Sequence, residues 1–185
     1  LGSTVAINGD WAAVGSKTTN DEDQGVVLYH YAGGTWSQHS FLSASTLGYT
    51  DEGGFGTAIA IENGVLVIGA PGDDTRGQDA GAAYVYVFKS ATDTWEQEGG
   101  TVTDPAGKAG DRFGTAVDVK FNNNNVYTVV GAPGDDTGSV SVYHFDGTQT
   151  WQGALKPSAA QSGDQFGMSV IIDDGGDVFV GTAGG

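Results

Sequence analysis

One pattern of twenty residues recurs along the chain and constrains the fold more than any other feature. It starts at Phe55-Gly56, passes through an apolar run and ends in Gly69-Ala70-Pro71-Gly72-Asp73-Asp74. A second copy runs from Phe113 to Asp136, a partial copy begins at Phe166, and a degenerate copy opens the chain. The leading glycines of the copies are separated by 54, 58 and 53 residues, in the order Gly2, Gly56, Gly114 and Gly167. A period of this length is typical of repeat architectures, in which each unit buries its faces against its neighbours.

Turn residues divide each repeat into four short segments that read as β-strands. In the second repeat, Asn63-Gly64 suits a two-residue hairpin turn, because both of its central positions require positive φ. Gly69-Ala70-Pro71-Gly72 ends the next apolar run, and no window shows sustained helical periodicity. The strands predicted for this repeat cover residues 57–61, 65–68, 82–88 and 95–102.

Four short strands in about 55 residues indicate a four-stranded antiparallel meander, the blade of a β-propeller. The predicted fold class is therefore all-β, in a single propeller region with repeat units at 1–54, 55–112, 113–165 and 166–185. These units supply three blades and the first two strands of a fourth, whereas propellers close with about four to eight blades. We expect the ring to be completed by the remainder of a longer chain or by further copies in a homo-oligomer. An open array is disfavoured because exposed strand edges promote aggregation.

The composition excludes several classes of partner. Acidic residues outnumber basic ones by 23 to 7, and the formal net charge is −16. No basic patch can form that would neutralise phosphates, so neither nucleic acid nor an anionic membrane is expected as a partner. The absence of cysteine excludes disulfides, zinc-thiolate sites and thiol nucleophiles. No apolar run approaches the length of a membrane span, so membrane insertion is not expected.

The succession Phe-Gly, Gly-Ala-Pro-Gly-Asp-Asp, Tyr-Val-Phe and Trp resembles the FG-GAP repeat of integrin α-subunit heads and of many bacterial and algal surface proteins. Two repeats carry both halves of the motif intact, at Phe55-Gly56 with Gly69-Ala70-Pro71 and at Phe113-Gly114 with Gly131-Ala132-Pro133. The resemblance extends over essentially the whole chain. It implies a β-propeller at the cell surface or outside the cell that binds a protein or a glycan.

Integrin-type repeats often carry an Asp-x-Asp-x-Asp-Gly calcium loop between their first and second strands. Here the corresponding turns are Asn8-Gly9, Asn63-Gly64, Asn122 to Asn125 and Asp173 to Asp177, and none reproduces that loop. The calcium site that the resemblance would imply is therefore not expected in the first three repeats. In the fourth, Asp173, Asp174 and Asp177 could supply oxygen ligands but lack the alternating spacing.

Acidic residues also follow the second strand of each repeat. Clustered carboxylates suit hard cations, so these loops could form a rim that binds Ca²⁺. The competing interpretation is solvated turns in which the carboxylates accept hydrogen bonds from nearby backbone N–H groups. The turn interpretation is favoured, because each loop alone offers too few ligands. The residues concerned are Asp21-Glu22-Asp23, Asp73, Asp74, Asp79, Asp135 and Asp136.

Aromatic residues recur once or more in each repeat. Trp36, Trp95 and Trp151 are assigned to one repeat position, where they could stack on sugars but are better explained as packing residues between blades. The same packing role is expected for the phenylalanines that open the repeats, Phe55, Phe113 and Phe166.

Residues that break the repeat are the candidates for contact with a ligand or partner: Trp11, Arg76 and Tyr49. Trp11 is aligned with Val65, Val126 and Val178, Arg76 is a lone base in an acidic loop, and Tyr49 precedes Asp51-Glu52. Ordinary variation also explains each of them, since isolated surface aromatics and charges are normal.

No motif for catalysis stands out. His30 and His144 are assigned to matching third-strand positions and His39 to a fourth strand, so the histidines are expected to follow the repeat without converging. The hypothesis is a non-catalytic, extracellular or cell-surface module with a structural or adhesive role. The alternatives are a lectin-like propeller with repeat-equivalent glycan pockets and a secreted polysaccharide-active enzyme.

Overall fold

The computed structural model describes residues 2–16, 24–47, 53–122, 125–159 and 161–183 and shows an all-β chain. The first sheet contains β1 (Val5–Asn8), β2 (Trp11–Ser16), β3 (Gly25–Ala32) and β4 (Thr35–Ser43). The second contains β5 (Ala58–Glu62), β6 (Val65–Ala70), β7 (Ala82–Lys89) and β8 (Thr94–Val102). The third contains β9 (Ala116–Asn122), β10 (Asn125–Ala132), β11 (Ser139–Phe145) and β12 (Gln149–Leu155). A two-stranded sheet follows, with β13 (Ser169–Ile172) and β14 (Val178–Gly181).

Each sheet is an antiparallel meander in which neighbouring strands are consecutive in sequence. The predicted fold, three four-stranded blades and the first two strands of a fourth, is therefore confirmed as a partial β-propeller. The second strands extend farther than predicted, because the Gly-Ala of the motif continues the ladder and Ala70 pairs with Ala82. A short 3-10 helix at Ala44–Leu47 was not predicted. Among the described residues, no helix is long and apolar enough to cross a membrane.

The hydrophobic core lies between the blades. One cluster of buried side chains joins the first and second blades, a second joins the second and third, and a third joins the third and fourth. Blade 2 shows how alternation serves both interfaces: Ile59 and Ile61 of β5 pack toward blade 1, whereas Ala58 and Ala60 of the same strand pack toward blade 3. Large residues on one face and small ones on the other therefore set the spacing of the stack.

The repeat glycines join the two ends of the motif within each blade. Gly56 has a φ of 89° and Gly114 a φ of 92°, in the left-handed region that side chains disfavour. The Gly56 N–H donates to the Gly69 carbonyl over 3.1 Å, and the Gly114 N–H donates to the Gly131 carbonyl over 3.0 Å. Phe-Gly and Gly-Ala-Pro, which are distant in sequence, thus meet in one hydrogen bond.

The same glycines bring neighbouring blades into backbone contact. A Cβ added to Gly69 would overlap the carbonyl oxygen of Gly114 in the next blade, and a Cβ on Gly114 would overlap the carbonyl oxygen of Ala82. The equivalent contact of Gly131 with Gly167 joins the third and fourth blades. Because these glycines have no side chain, the backbones of neighbouring blades can contact each other directly.

The phenylalanine before each glycine anchors the crossing between blades. Phe113 is 1% exposed, and its N–H donates to the Ala80 carbonyl of blade 2 over 3.0 Å. Phe55 is also buried, whereas Phe166 is half-buried. The predicted packing role is confirmed for Phe55 and Phe113 and holds in part for Phe166.

The three tryptophans do not share one position. Trp36 pairs with Tyr31 and Trp95 with Phe88, each in the second pair from the hairpin, but Trp151 lies one pair farther, opposite Tyr143. Trp95 is 7% exposed, whereas Trp36 and Trp151 are 43% and 45% exposed. The packing prediction is therefore confirmed for Trp95 and wrong for Trp151. It stays a prediction for Trp36, because no described blade lies against its face of blade 1. Trp36 lies on the face of blade 1 that is turned away from blade 2, next to Tyr31.

Replacing Gly114 with Ala should destabilise the chain more than replacing Gly147 with Ala. Both glycines have strongly positive φ, but a Cβ on Gly147 would meet no atom within 4 Å. Gly147→Ala should therefore cost about 1–2 kcal/mol for its backbone conformation alone. Gly114→Ala should cost about 1–3 kcal/mol more, because the blades must move apart. Urea denaturation of both variants measures the difference, and equal losses would contradict the blade-contact interpretation.

Candidate functional site

The blades present two different ends. At the loop end lie the second-to-third-strand loops, such as 71–81 and 133–138, together with the crossings between blades. At the hairpin end lie the turns between first and second strands and between third and fourth strands. Asp73, Asp74, Asp79, Asp135 and Asp136 lie at the loop end. Trp11 lies near the hairpin end, as do Asp173, Asp174 and Asp177 in the β13–β14 turn.

Asp73 is a buried structural residue of its loop. The Tyr84 hydroxyl donates to Asp73 Oδ2 over 2.6 Å, and the Thr75 backbone N–H donates to Asp73 Oδ1 over 2.9 Å. Asp74 is exposed, and its Oδ1 accepts the backbone N–H of Asp79 over 2.6 Å. Asp79 is exposed and has a φ of 52°. The carboxylates of Asp73 and Asp74 thus accept backbone donors of their own turn, as the turn interpretation requires.

In the third blade, the equivalent pair consists of a buried residue, Asp135, and an exposed residue, Asp136. Asp135 is buried, and the Lys156 ammonium lies 2.7 Å from its Oδ2. Burial is the largest single influence on the Asp135 carboxyl and by itself would raise its pKa. The hydrogen bond and charge of Lys156, together with Ser139 and the charge of Lys108, outweigh burial and hold that pKa below its usual range. Asp136 is largely exposed, and its carboxylate lies 3.9 Å from the ammonium of Lys108.

Asp173 of the fourth repeat caps its own turn. Its Oδ1 accepts the backbone N–H groups of Gly175 and Asp177, both over 2.9 Å. Asp174 lies 2.6 Å from the Lys120 ammonium, which also lies 3.3 Å from Glu62. Lys120 therefore connects acidic residues of the second and fourth blades across the third.

No group of three or more carboxylates and imidazoles that could hold a metal ion occurs within the described parts of the chain. Asp73, Asp74, Asp79, Asp135 and Asp136 are distributed over two loops, and several of them have partners in their own loop. Residues 21–23 lie outside the described residues. The Ca²⁺ rim stays a prediction from the sequence and gains no geometric support from these carboxylates.

The structure describes two of the three residues that break the repeat, Arg76 and Trp11. Arg76 donates from its guanidinium to the carbonyls of Asp104 and Pro105, over 3.1 and 2.8 Å, and so ties its loop to the segment that leads into blade 3. Trp11 is half-buried at the interface between blades 1 and 2. Tyr49 lies outside the described residues.

Trp11 is the centre of an aromatic cluster that spans two blades. Its ring stacks on His30 with centroids 4.4 Å apart and lies 4.7 Å from the ring of Phe88. The rings of Trp95 and His39 meet it edge-on at 5.2 and 4.8 Å. His30 and His39 are thereby brought within 6.4 Å, centroid to centroid. The prediction that the histidines do not converge is wrong for this pair.

A β-bulge directs His39 into the cluster. Leu28 pairs with Ser40 and Tyr29 with Gln38, so His39 is the extra residue on β4. Bulges change the direction in which a strand presents its side chains. His39 Nε2 lies 3.3 Å from Asp93 Oδ1 in blade 2, and its Nδ1 lies 3.1 Å from Ser40 Oγ.

A cavity of about 480 Å³ lies beside this cluster, between the bulged segment of β4 and the hairpin that joins β7 to β8. Its lining surface is about equally polar and apolar and draws on both blades. The lining residues are His30, Ser37, Gln38, His39, Ser40, Leu42, Asp93, Thr94 and Trp95.

Comparison with protein families identifies the repeat. The model of the FG-GAP repeat matches residues 36–86 and 95–145, which together make up more than half of the chain. The chain belongs to the FG-GAP repeat family. Comparison with curated proteins gives no significant match.

Each FG-GAP match runs from the fourth strand of one blade to the third strand of the next. The matched unit therefore spans the crossing from one blade to the next. Most of the rings around Trp11, namely Trp11 itself, His30, Phe88 and Trp95, lie outside the first match, 36–86. His39 lies inside this match and Asp93 just after it.

Spacing from the second-strand glycine of each repeat corrects the repeat equivalents of Trp11. Trp11, Val65 and Tyr127 each lie four residues before the second-strand glycine of the motif. The predicted equivalence with Val65 is consistent with this spacing, but the third-blade equivalent is Tyr127 and not Val126. Asp177, not Val178, holds the position in the fourth repeat. Tyr127 also contacts a histidine, His144, at 5.2 Å between ring centroids.

Sequence reasoning missed His39 and Asp93 as members of a site. Their separation of 54 residues is close to the repeat period, and that spacing is the one signal in the sequence that could have paired them. No comparable signal in the sequence predicts the bulge, which makes His39 the extra residue on β4.

Replacing Tyr84 with Phe should destabilise the chain by about 1–3 kcal/mol, because the buried Asp73 carboxylate loses its side-chain donor. Tyr31→Phe is the matched control, since Tyr31 lies exposed on β3. Its effect should stay within about 0.5 kcal/mol. Urea denaturation measures both variants, and a neutral Tyr84→Phe would show that Asp73 does not depend on this bond.

Replacing Lys156 with Met should flatten the dependence of stability on acid pH. The lowered pKa of Asp135 means that its interaction with Lys156 stabilises the fold above about pH 4. That contribution is lost as the pH falls through the folded-state value. We expect Lys156→Met to lose about 0.5–1 kcal/mol at neutral pH and to change less between about pH 5 and pH 2.

Lys108→Met serves as the control for this experiment, because Lys108 and Asp136 are both largely exposed. The charge of Lys108 lowers the pKa of Asp135 less than Lys156 does, so the pH profile of Lys108→Met should lie much closer to that of the unsubstituted chain. The free energy of unfolding is measured in urea at each pH. If the Lys156 and Lys108 variants gave the same profile, the coupling of Lys156 to Asp135 would be refuted.

Proposed function

We propose that this FG-GAP chain is a non-catalytic binding module at the cell surface or outside the cell, and that it attaches to a protein partner through its loop end. The observation that carries the proposal is a set of loops that the neighbouring blade holds in place and that expose Asp74, Asp79 and Asp136 to solvent. Structural support and adhesion are the roles such a module would serve.

Backbone hydrogen bonds between blades hold the loop end in one arrangement. The N–H groups of Gly110 and Arg112 donate to the carbonyls of Gln78 and Asp79, over 2.8 and 3.0 Å. One blade farther along, the Phe166 N–H donates to the Thr137 carbonyl over 3.1 Å. Loops ordered before binding lose little conformational entropy when a partner docks. This preorganisation favours a recognition surface over a flexible connection.

The charge at the loop end supports a basic partner. Asp74, Asp79 and Asp136 are exposed on successive blades, and the chain as a whole carries a formal charge of −16. Complementary charge speeds association and selects among partners. A protein with a basic surface fits this end better than an acidic one.

The extracellular or cell-surface location follows from the resemblance to integrin α-subunit heads and to surface proteins with FG-GAP repeats. The composition is compatible with it, since an acidic surface remains soluble where salt screens its self-repulsion.

The second candidate function is a lectin-like propeller, which the cavity at the hairpin end supports. A polysaccharide-active enzyme stays a hypothesis from the sequence.

A further blade should cover the outer face of blade 1. Val5 and Ile7 of β1 are 68% and 67% exposed, whereas their repeat equivalents Val117 and Val119 are 8% and 3% exposed against blade 2. We propose that the missing neighbour is another FG-GAP blade, from a longer chain or from a second copy. The native mass of the purified protein distinguishes these two sources.

Neutralising two exposed carboxylates should weaken attachment through the loop end. Asp79 and Asp136 have φ values of 52° and 47°, which Asn tolerates, so Asp79→Asn with Asp136→Asn removes charge without straining the backbone. Binding to a panel of purified extracellular proteins, basic and acidic, is measured by biolayer interferometry at low and high salt. We expect binding to basic members that the double variant and high salt both weaken.

Asp10→Asn is the control, because Asp10 is an exposed acid at the hairpin end. It should bind as the unsubstituted chain does. The proposal fails if no panel member binds, or if the double variant binds as tightly as the Asp10 control.

A further inference from the structure

The cavity between blades 1 and 2 differs in its lining from the second described cavity at the hairpin end, which has a volume of about 400 Å³ and lies between blades 3 and 4. Trp11 and His30 line up on neighbouring strands of blade 1, whereas the equivalent pair in blade 2 is Val65 with Val87. Val65 and Val87 belong to the apolar cluster between blades 2 and 3.

The interface between blades 3 and 4 has Tyr127 and His144 at the same positions, but its cavity is lined by Lys120 and by apolar residues and by no imidazole. A tryptophan together with two imidazoles is therefore found, among the described residues, between blades 1 and 2.

The polar groups of the cavity are held in place from two sides. Trp11 supports His30 by stacking, and Asp93 reaches His39 from the other blade. Asn63 adds a further link near this end, because its backbone N–H donates to Asn8 Oδ1 over 3.1 Å. Groups fixed before binding are those that recognise a small ligand well.

The chemistry of the lining indicates the class of ligand. Hydroxyl, amide and imidazole groups are contributed by Ser37, Gln38, Thr94 and the two histidines, while Leu42 and Trp95 add apolar surface. No Lys or Arg is among the lining residues, and Asp93 lies at the rim with its side chain largely exposed. Such a surface offers hydrogen bonds to hydroxyls and an apolar contact for C–H groups, but nothing to neutralise an anion.

Trp95 contributes ring surface to the cavity, not its polar atom. Its Nε1 is fully buried and has no hydrogen-bond acceptor among the described residues. Because that nitrogen is out of contact with the cavity, the role of Trp95 toward a ligand is apolar contact.

We propose that this cavity binds a neutral saccharide, at one site per chain. The site is independent of the loop end, where the protein partner is placed, and it differs from a lectin with equivalent pockets in every repeat. The Asp93 carboxylate and the imidazole nitrogens accept and donate hydrogen bonds to the sugar hydroxyls, and Leu42 and Trp95 contact its apolar face.

The test is a titration of the chain with methyl glycosides of neutral hexoses and of N-acetylhexosamines, followed by calorimetry and by tryptophan fluorescence. Acidic glycosides carrying uronic or sialic acid form the second arm. We expect saturable binding of one neutral glycoside per chain, with a fluorescence change because Trp11 and Trp95 adjoin the cavity. Glycoside concentrations extend to about 10 mM, so that weak affinities are detected.

His39→Phe keeps an aromatic ring in the cluster and removes both nitrogens, so it should weaken binding by about tenfold or more. Gln38→Ala provides a second variant outside the aromatic cluster and should also weaken binding. His144→Phe is the control, because His144 occupies the third strand of blade 3 and contacts Asn125 there. The unfolding midpoints of all three variants show whether they remain folded.

The proposal is overturned if no neutral glycoside binds, or if an acidic one binds more tightly. Two or more equivalent sites per chain would favour the repeat-wide lectin instead. Unchanged affinity in both folded variants, His39→Phe and Gln38→Ala, would place any saccharide elsewhere. None of these results bears on the loop end, so failure here leaves the protein-binding proposal standing.

Discussion

The contact of glycine backbones between blades is the constraint on which the rest of the molecule depends. Gly114 must adopt positive φ to donate to Gly131, and it must also lack a side chain so that Ala82 and Gly69 of the preceding blade can approach. Two independent demands therefore fall on one residue, and glycine alone satisfies both. This contact sets the distance between blades, and the apolar residues of the sheets fill the space that it leaves.

Much of the fold could be predicted because local signals and the repeat agree. Turn residues bound each strand, alternation assigns faces, and the period assigns neighbours. The errors arise where repeats differ in length. The β9–β10 hairpin has longer strands than the β5–β6 hairpin, so alignment from the first strand shifts the second by one residue and exchanges Tyr127 for Val126. A shift of one residue moves a side chain to the other face of the sheet.

The candidate site was less accessible to sequence reasoning, for a physical reason. The acidic pairs are conspicuous in the sequence, but Asp73 and Asp74 accept hydrogen bonds within their own loop. His39 and Asp93 carry no local motif, and they meet because the blades stack and because a bulge turns one side chain inward. Contacts between blades depend on register, and register is decided jointly by the turns, the bulges and the glycine contacts.

The position of the glycine contacts explains how a repetitive chain can carry a site that is not repeated. They lie toward the loop end, where backbone meets backbone and a side chain cannot be tolerated. Toward the hairpin end of the interface between blades 1 and 2, the side chains of Trp11, Phe88 and Trp95 fill the space between the blades, so volume can be exchanged across the interface. Trp11 occupies space there together with Phe88 and Trp95, whereas Val65 and Val87 belong to a smaller-residue interface. Because the backbone spacing is set elsewhere, one interface can acquire aromatic and imidazole groups while its neighbours keep an ordinary apolar core.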